Sequence, residues 1–82
     1  MRTFVLADSP EAALELDHRV FAYIEQEQGV AGNGWSGVYT DGTRFGILWG
    51  TPVEQVLAGT SYTLVEETAE DVWSSYVWPA AE

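Results

Sequence analysis

The sequence predicts a single small α+β domain, in which a mostly antiparallel sheet of four or five strands packs one face against a long helix. Three observations predict this fold class. The chain has 82 residues, of which 46% are hydrophobic, so residues 1–82 can form one core and one domain. One long segment repeats its apolar residues with helical spacing, and several short segments are rich in residues that favour strands.

The N-terminal part of the chain predicts a strand followed by the long helix. Thr3–Ala7 (TFVLA) has the composition of a strand. Ser9 can then cap a helix whose first position is a proline, and Gly29 is a natural stop, so we expect the helix to occupy Pro10–Gln28.

At about 100° per residue, this helix has an apolar and a polar face. The apolar face consists of Ala13, Leu16, Val20 and Ile24, with Phe21 and Tyr23 on its flanks. The opposite face consists of Glu11, Glu15, His18, Arg19, Ala22, Glu25 and Gln26. We expect Glu15 and Arg19, which are one turn apart, to form an ion pair that leaves this face net negative.

A β-hairpin is predicted after a glycine-rich connector at residues 29–34 (GVAGNG). Asp41-Gly42 is a strong signal for a two-residue turn, and strand-type residues lie on both sides of it. This turn predicts the pairs Thr40–Thr43, Val38–Phe45 and Ser36–Ile47 on one side of the sheet. On the other side it predicts Tyr39–Arg44, Gly37–Gly46 and Trp35–Leu48.

A second, short helix should follow the hairpin. Thr51 and Glu54 have the spacing of a capping box, and Pro52 suits the first helical position. We therefore expect a helix over residues 52–58 that stops at Gly59.

Two strands are predicted at the C-terminal end. Residues 61–67 and 72–78 are rich in residues that favour strands, and we expect them to form a hairpin around residues 67–71. The last segment could instead be a helix capped by Thr68 and Asp71. Taken as a strand, it completes the element order β-α-β-β-α-β-β.

The charge balance is the strongest compositional signal. The chain has 13 acidic residues, three arginines and no lysine, which gives a formal net charge of −10. Such a chain is repelled by nucleic acids and anionic membranes, and is attracted to basic surfaces. No apolar run is long enough to cross a membrane and no signal peptide is visible, so we expect a cytoplasmic protein. The acidity could also serve solubility alone, or reflect a halophilic source.

The residue types that carry most enzyme chemistry are scarce. The only histidine, His18, is predicted on the solvent side of the long helix, and the chain has no cysteine. A general acid or base needs a positioned partner in a cleft, and none is implied. We therefore expect no catalytic residue, no cofactor and no metal site, and interpret the protein as a binding protein.

Two surfaces are candidates for contacting a partner. The first is acidic, because carboxylates on a rigid frame can imitate the phosphates of DNA. It consists of Glu11, Glu15, Glu25, Glu66, Glu67, Glu70 and Asp71. The second is the aromatic side of the central hairpin, with Trp35, Tyr39 and Arg44, residue types that dominate binding hot spots. The C-terminal segment could instead cover that side with Trp73, Tyr76 and Trp78.

A short, cysteine-free, acidic, single-domain chain without an active site resembles the anti-CRISPR proteins of phages and mobile elements. The resemblance implies an inhibitor, acting in the bacterial cytoplasm, that occupies the DNA-binding surface of a CRISPR effector complex. The expected partner is a basic protein or nucleoprotein complex, without direct contact to nucleic acid or membrane, and the chain would be a monomer or a homodimer. The alternative is a small host interaction module, such as an antitoxin or a complex subunit, that binds through the aromatic hairpin side.

Overall fold

Within the described part of the chain, five strands form one antiparallel sheet in the order β4-β1-β3-β2-β5, and two helices pack on one of its faces. The computed structural model describes residues 1–28 and 37–79. Its elements are β1 (Thr3–Ala7), α1 (Pro10–Gln28), β2 (Val38–Thr40), β3 (Phe45–Leu48), α2 (Thr51–Val56), β4 (Leu64–Glu66) and β5 (Ser74–Ser75). The predicted fold class and element order are both confirmed.

The first strand and the long helix have the bounds that the sequence predicts. The Ala12 N–H donates to the Ser9 hydroxyl at 3.0 Å, so Ser9 caps α1 as expected. Ala13 and Val20, on the predicted apolar face of α1, are fully buried. They share one core with the sheet and with α2. The buried residues of this core are Val5, Ala13, Val20, Val38, Ile47, Val53 and Leu57.

The predicted hairpin forms, but its predicted register is wrong by two residues. Tyr39 lies opposite Gly46 instead of Arg44, and Val38 opposite Ile47 instead of Phe45. The cause is a longer loop. The Asp41 carboxylate accepts the N–H groups of Thr43 and Arg44, so these two residues belong to the loop and not, as predicted, to the second strand. A shift by an even number leaves each side chain on its predicted side of the sheet.

Gly46 is required where β1 and β3 pair. A Cβ atom at this position would lie 2.1 Å from the Val5 carbonyl oxygen, closer than any side chain can approach. The predicted pair between Gly37 and Gly46 is not formed, because Tyr39 lies opposite Gly46.

The predicted capping box of the second helix is wrong. Gly50 occupies the N-cap position without a side-chain hydrogen bond, and Thr51 is already helical. A hydroxyl can cap only from the non-helical residue before the helix, so Thr51 cannot do so. Pro52 lies in the first turn as expected, and α2 ends at Val56, two residues earlier than predicted.

The predicted C-terminal hairpin is also wrong. β4 pairs with β1 and β5 pairs with β2, so the two strands lie at opposite edges of the sheet. Both are shorter than predicted, and the final helix that was the alternative does not form. Residues 67–73 instead cross the sheet face that the helices leave uncovered, where Trp73 is buried on Phe4. A hairpin would have left that apolar face in water.

Candidate functional site

The outer face of α1 carries exposed carboxylates. Glu11, Glu15 and Glu25 are all exposed, as the helical periodicity predicts. They fall within about 80° around the helix axis and span about 21 Å along it. Their side chains form no hydrogen bond or ion pair with another described residue, and the predicted pair between Glu15 and Arg19 is absent. We call these three glutamates the acidic helix face.

The second half of the predicted acidic set divides into free and paired groups. Glu66 and Glu70 are exposed, and their side chains form no hydrogen bond or ion pair with a described residue. Glu67 and Asp71 are instead each ion-paired with an arginine of the chain. The hairpin that was predicted around these four residues does not form, and two of the four carboxylates have arginine partners.

Glu67 binds Arg2 with both carboxylate oxygens. Arg2 Nε lies 2.7 Å from Glu67 Oε1, and Arg2 Nη2 lies 3.1 Å from Oε2. The backbone N–H of Trp73 donates to Oε2 at 3.1 Å, and Arg2 Nη2 donates to the Trp73 carbonyl oxygen at 2.6 Å. The hydrogen bonds from the Arg2 side chain and then from the Trp73 N–H lower the pKa of Glu67 to about 2. Glu67 is therefore a structural carboxylate that stays ionised.

Arg44 joins two carboxylates from different segments. Its Nη2 lies 2.7 Å from Asp41 Oδ2 and also donates to the Asp71 carboxylate. Burial by itself would raise the pKa of Asp41. The backbone N–H groups of Arg44 and Thr43 and the Arg44 guanidinium outweigh burial and hold that pKa well below its usual range. Arg44 thus connects the β2–β3 loop to the crossing segment 67–73.

Three aromatic rings fill the sheet face opposite the helices, and we call Phe4, Tyr39 and Trp73 the aromatic cluster. The rings of Phe4 and Trp73 stack with centroids 4.6 Å apart, and the Tyr39 ring lies 5.2 Å from Phe4. The Arg2 guanidinium lies 5.3 Å from the Phe4 ring and the Arg44 guanidinium 5.5 Å from the Trp73 ring. The cluster is therefore closed on both sides by arginines that are themselves ion-paired.

The predicted aromatic binding surface is thus mostly internal packing. Tyr39 and Arg44 are half-buried, and Trp73 covers the face on which they lie. Trp73 is 1% exposed, and its indole N–H has no hydrogen-bond partner within the described chain. Trp35, the third predicted member, lies outside the described residues.

One buried carboxylate was missed by the sequence analysis. Asp17 is 7% exposed and its Oδ1 accepts the Gly37 N–H at 3.1 Å, so it ties α1 to the start of β2. The signal was present, because Asp17 lies between Ala13 and Val20 on the apolar stripe of the helix. A charged residue on such a stripe needs a partner, and the backbone supplies it.

Within residues 1–28 and 37–79 there is no pocket, and no group of three or more histidine or acidic residues is arranged to hold a metal ion. Over the same residues, no helix is long and apolar enough to span a membrane. Compared with known proteins, the chain matches no family, no curated sequence and no solved structure.

Proposed function

We propose that this chain is a non-enzymatic inhibitor that binds a basic nucleic-acid-binding complex and blocks its access to DNA. A CRISPR surveillance complex in the bacterial cytoplasm is the proposed target. The observation that carries the proposal is the acidic helix face, whose three carboxylates are exposed and unpaired within the described chain. Two of the three arginines, Arg2 and Arg44, are held by internal carboxylates and offer little positive charge to compensate.

The spacing of the carboxylates defines what kind of mimicry is possible. The acidic helix face places three charges along about 21 Å of helix. One strand of B-DNA carries about six phosphates over the same length. The face therefore carries a line of negative charges, as a DNA strand does, at about half the charge density of that strand. This favours electrostatic competition for a basic groove over an atom-by-atom copy of the duplex.

The alternative, a host interaction module that binds through the aromatic hairpin side, has less support. Tyr39 contacts Phe4 and Arg2, and Arg44 is committed to Asp41 and Asp71. A partner that used these two side chains would first have to displace internal contacts. The acidic helix face requires no such rearrangement.

The test begins with capture of the partner. The tagged protein is used in a pull-down from lysate of bacteria that carry CRISPR systems, at about 0.15 M and about 1 M salt. We expect a basic DNA-binding complex that is recovered at low salt and lost at high salt. DNA binding by that purified complex is then measured by fluorescence anisotropy in the presence of the inhibitor. A neutral partner that resists high salt would instead support the interaction module.

A matched pair of triple variants separates the face from net charge. The first reverses the acidic helix face (E11K, E15K and E25K), and the second reverses three exposed carboxylates elsewhere (E54K, E66K and E70K). Both change the formal net charge from −10 by the same amount, since each reversal adds two positive units. We expect the first to weaken inhibition about 10–100-fold and the second to have a smaller effect. Equal losses would show that net charge acts, and no loss would refute charge mimicry.

A further inference from the structure

The outer side of the edge strand β5 pairs with no residue of the described ranges 1–28 and 37–79. Tyr76 N–H donates to the Val38 carbonyl at 2.9 Å, and Ser74 lies opposite Thr40, so residues 74 and 76 direct their backbone groups towards β2. In an antiparallel ladder the alternate residues direct theirs away. Ser75 and, by continuation of this alternation, Val77 therefore turn their N–H and C=O groups outwards. No described residue bonds to these groups.

This edge is short, but it lacks the charged residues and the interior proline that commonly prevent an edge strand from pairing further. Residues 72–78 (VWSSYVW) contain no charge, and a proline appears only at position 79. Val77 is 86% exposed and Trp78 is 40% exposed. The opposite edge, β4, carries exposed Glu66, so pairing of two β4 strands would bring like charges together.

We propose that the β5 edge pairs antiparallel with the β5 edge of a second copy of this chain, to form a homodimer with a continuous sheet. The charge distribution selects this occupant. A basic partner gains nothing at an uncharged strand, whereas a second copy with a net charge of −10 is repelled least there. The inference does not depend on the proposed function.

The edge is complementary to itself in one register. If the twofold axis passes at Tyr76, then Ser75 lies opposite Val77 of the partner subunit, and each such pair exchanges two N–H···O bonds. The register ends naturally on both sides. Pro79 has no N–H, and it would face Trp73 of the partner subunit, whose N–H and C=O are already bound by Glu67 and Arg2.

The side chains fit the same register. Trp78 would lie opposite Ser74 of the partner subunit, which is small and exposed, so its ring can extend over the neighbouring chain. Val77, the most exposed of the large apolar residues in the described chain, would be covered by the partner. The twofold axis also places both copies of α1 on the same side of the joined sheet, which doubles the acidic helix face.

The experiment measures mass in solution by sedimentation equilibrium from about 1 μM to about 1 mM. We expect the mass to rise with concentration from 9.0 kDa towards twice that value. Dimerisation should occur at a lower protein concentration in about 1 M salt than in about 0.15 M salt, because salt screens the repulsion between the two acidic chains. Binding to a basic partner has the opposite salt dependence. The two proposals can therefore fail independently.

Two variants and one control locate the interface. Ser75→Pro removes an outward N–H without losing a bond to β2, and V77D adds a charge at the edge; we expect each to shift the midpoint of dimerisation at least tenfold upwards. T63D adds the same charge beside the opposite edge and should leave the midpoint unchanged. Circular dichroism verifies that each variant is folded.

Three results would overturn the proposal. They are a mass that stays at 9.0 kDa under all conditions, dimerisation of both edge variants at the wild-type midpoint, and weakening by T63D equal to that by V77D. Hydrogen exchange supplies an independent reading, because the amides of Ser75 and Val77 should become protected as concentration rises. Protection at β4 instead would place the interface at the other edge and refute this one.

Discussion

Arg2 and Glu67 are 65 positions apart in the sequence, yet they form a bidentate ion pair, with Nε 2.7 Å from Oε1 and Nη2 3.1 Å from Oε2. The pair holds the start of β1 against the segment that crosses the open face of the sheet. Because Glu67 also accepts the Trp73 N–H, the same carboxylate positions the tryptophan that closes the aromatic cluster. The Glu67 side chain thus binds both the start of β1 and Trp73, the buried aromatic residue of the crossing segment.

This arrangement predicts a specific acid sensitivity. The pKa of Glu67 is lowered from its ordinary value of 4.5 to about 2 in the folded chain. Between these two values the unfolded chain binds more protons at this position than the folded chain, so stability is lost as the pH falls from about 4.5 to about 2. E67Q should be less stable than the wild type at pH 7, and the difference should shrink over that window. Urea unfolding at a series of pH values measures it.

The control for this prediction is E70Q. It removes one carboxylate that is exposed and forms no hydrogen bond or ion pair with a described residue. Its pH profile should run parallel to that of the wild type through the window. If E67Q also runs parallel, the ion pair with Arg2 does not contribute to stability in solution.

Trp73 should carry much of the stability of the open sheet face. W73A removes a ring that is 1% exposed and stacked on Phe4, and should lower the free energy of unfolding by about 3–5 kcal/mol. W73F should lower it by clearly less, since it keeps a ring on Phe4 and removes an indole N–H that has no partner in the described chain. Guanidinium unfolding compares the two, and equal losses would contradict the stacked geometry.

Asp17 should stabilise the fold as a hydrogen-bond acceptor. D17A leaves the Gly37 N–H without its partner and should lower the free energy of unfolding by about 1–3 kcal/mol. For a chain of this size that corresponds to a fall of several degrees in the melting temperature. D17N retains an acceptor oxygen and should lose less. Thermal unfolding followed by circular dichroism tests both, and a D17N loss as large as that of D17A would show that the charge matters more.

The parts of the fold that the sequence predicted are those set by neighbouring residues. Ser9 and Pro10 define the start of α1, and the helical spacing of its apolar residues defines which side faces the sheet. The exposure of Glu11, Glu15 and Glu25 follows from the same spacing. These signals act within a few residues, so they can be read without knowing the tertiary structure.

The placement of the last two strands was mispredicted because it depends on contacts between distant segments. Residues 61–67 and 72–78 have strand composition, but composition does not say which edge each strand joins. That choice is made by the stacking of Trp73 on Phe4 and by the binding of Glu67 to Arg2. The hairpin register was mispredicted for a different, local reason: the Asp41 carboxylate accepts the N–H groups of Thr43 and Arg44, which gives a longer loop than the expected two-residue turn.

The two carboxylates that bind Arg44 should differ in their contribution. Asp41 accepts the backbone N–H groups of Thr43 and Arg44 at 2.9 and 2.7 Å in addition to the guanidinium, and its side chain is 4% exposed. The Asp71 side chain is 40% exposed and accepts the guanidinium, and its partner is 38% exposed. An ion pair in that setting is screened by water. D41A should therefore lower the melting temperature more than D71A.

The same two variants test whether function follows the acidic helix face. Each removes one negative charge from the sheet side of the molecule and leaves the acidic helix face intact. At temperatures where both variants are folded, they should inhibit as the wild type does, although their melting temperatures differ. D41A and D71A alter the net charge equally. If both variants lose inhibition, overall charge and not the acidic helix face would be responsible for inhibition. A loss confined to D71A would place the crossing segment in the interface.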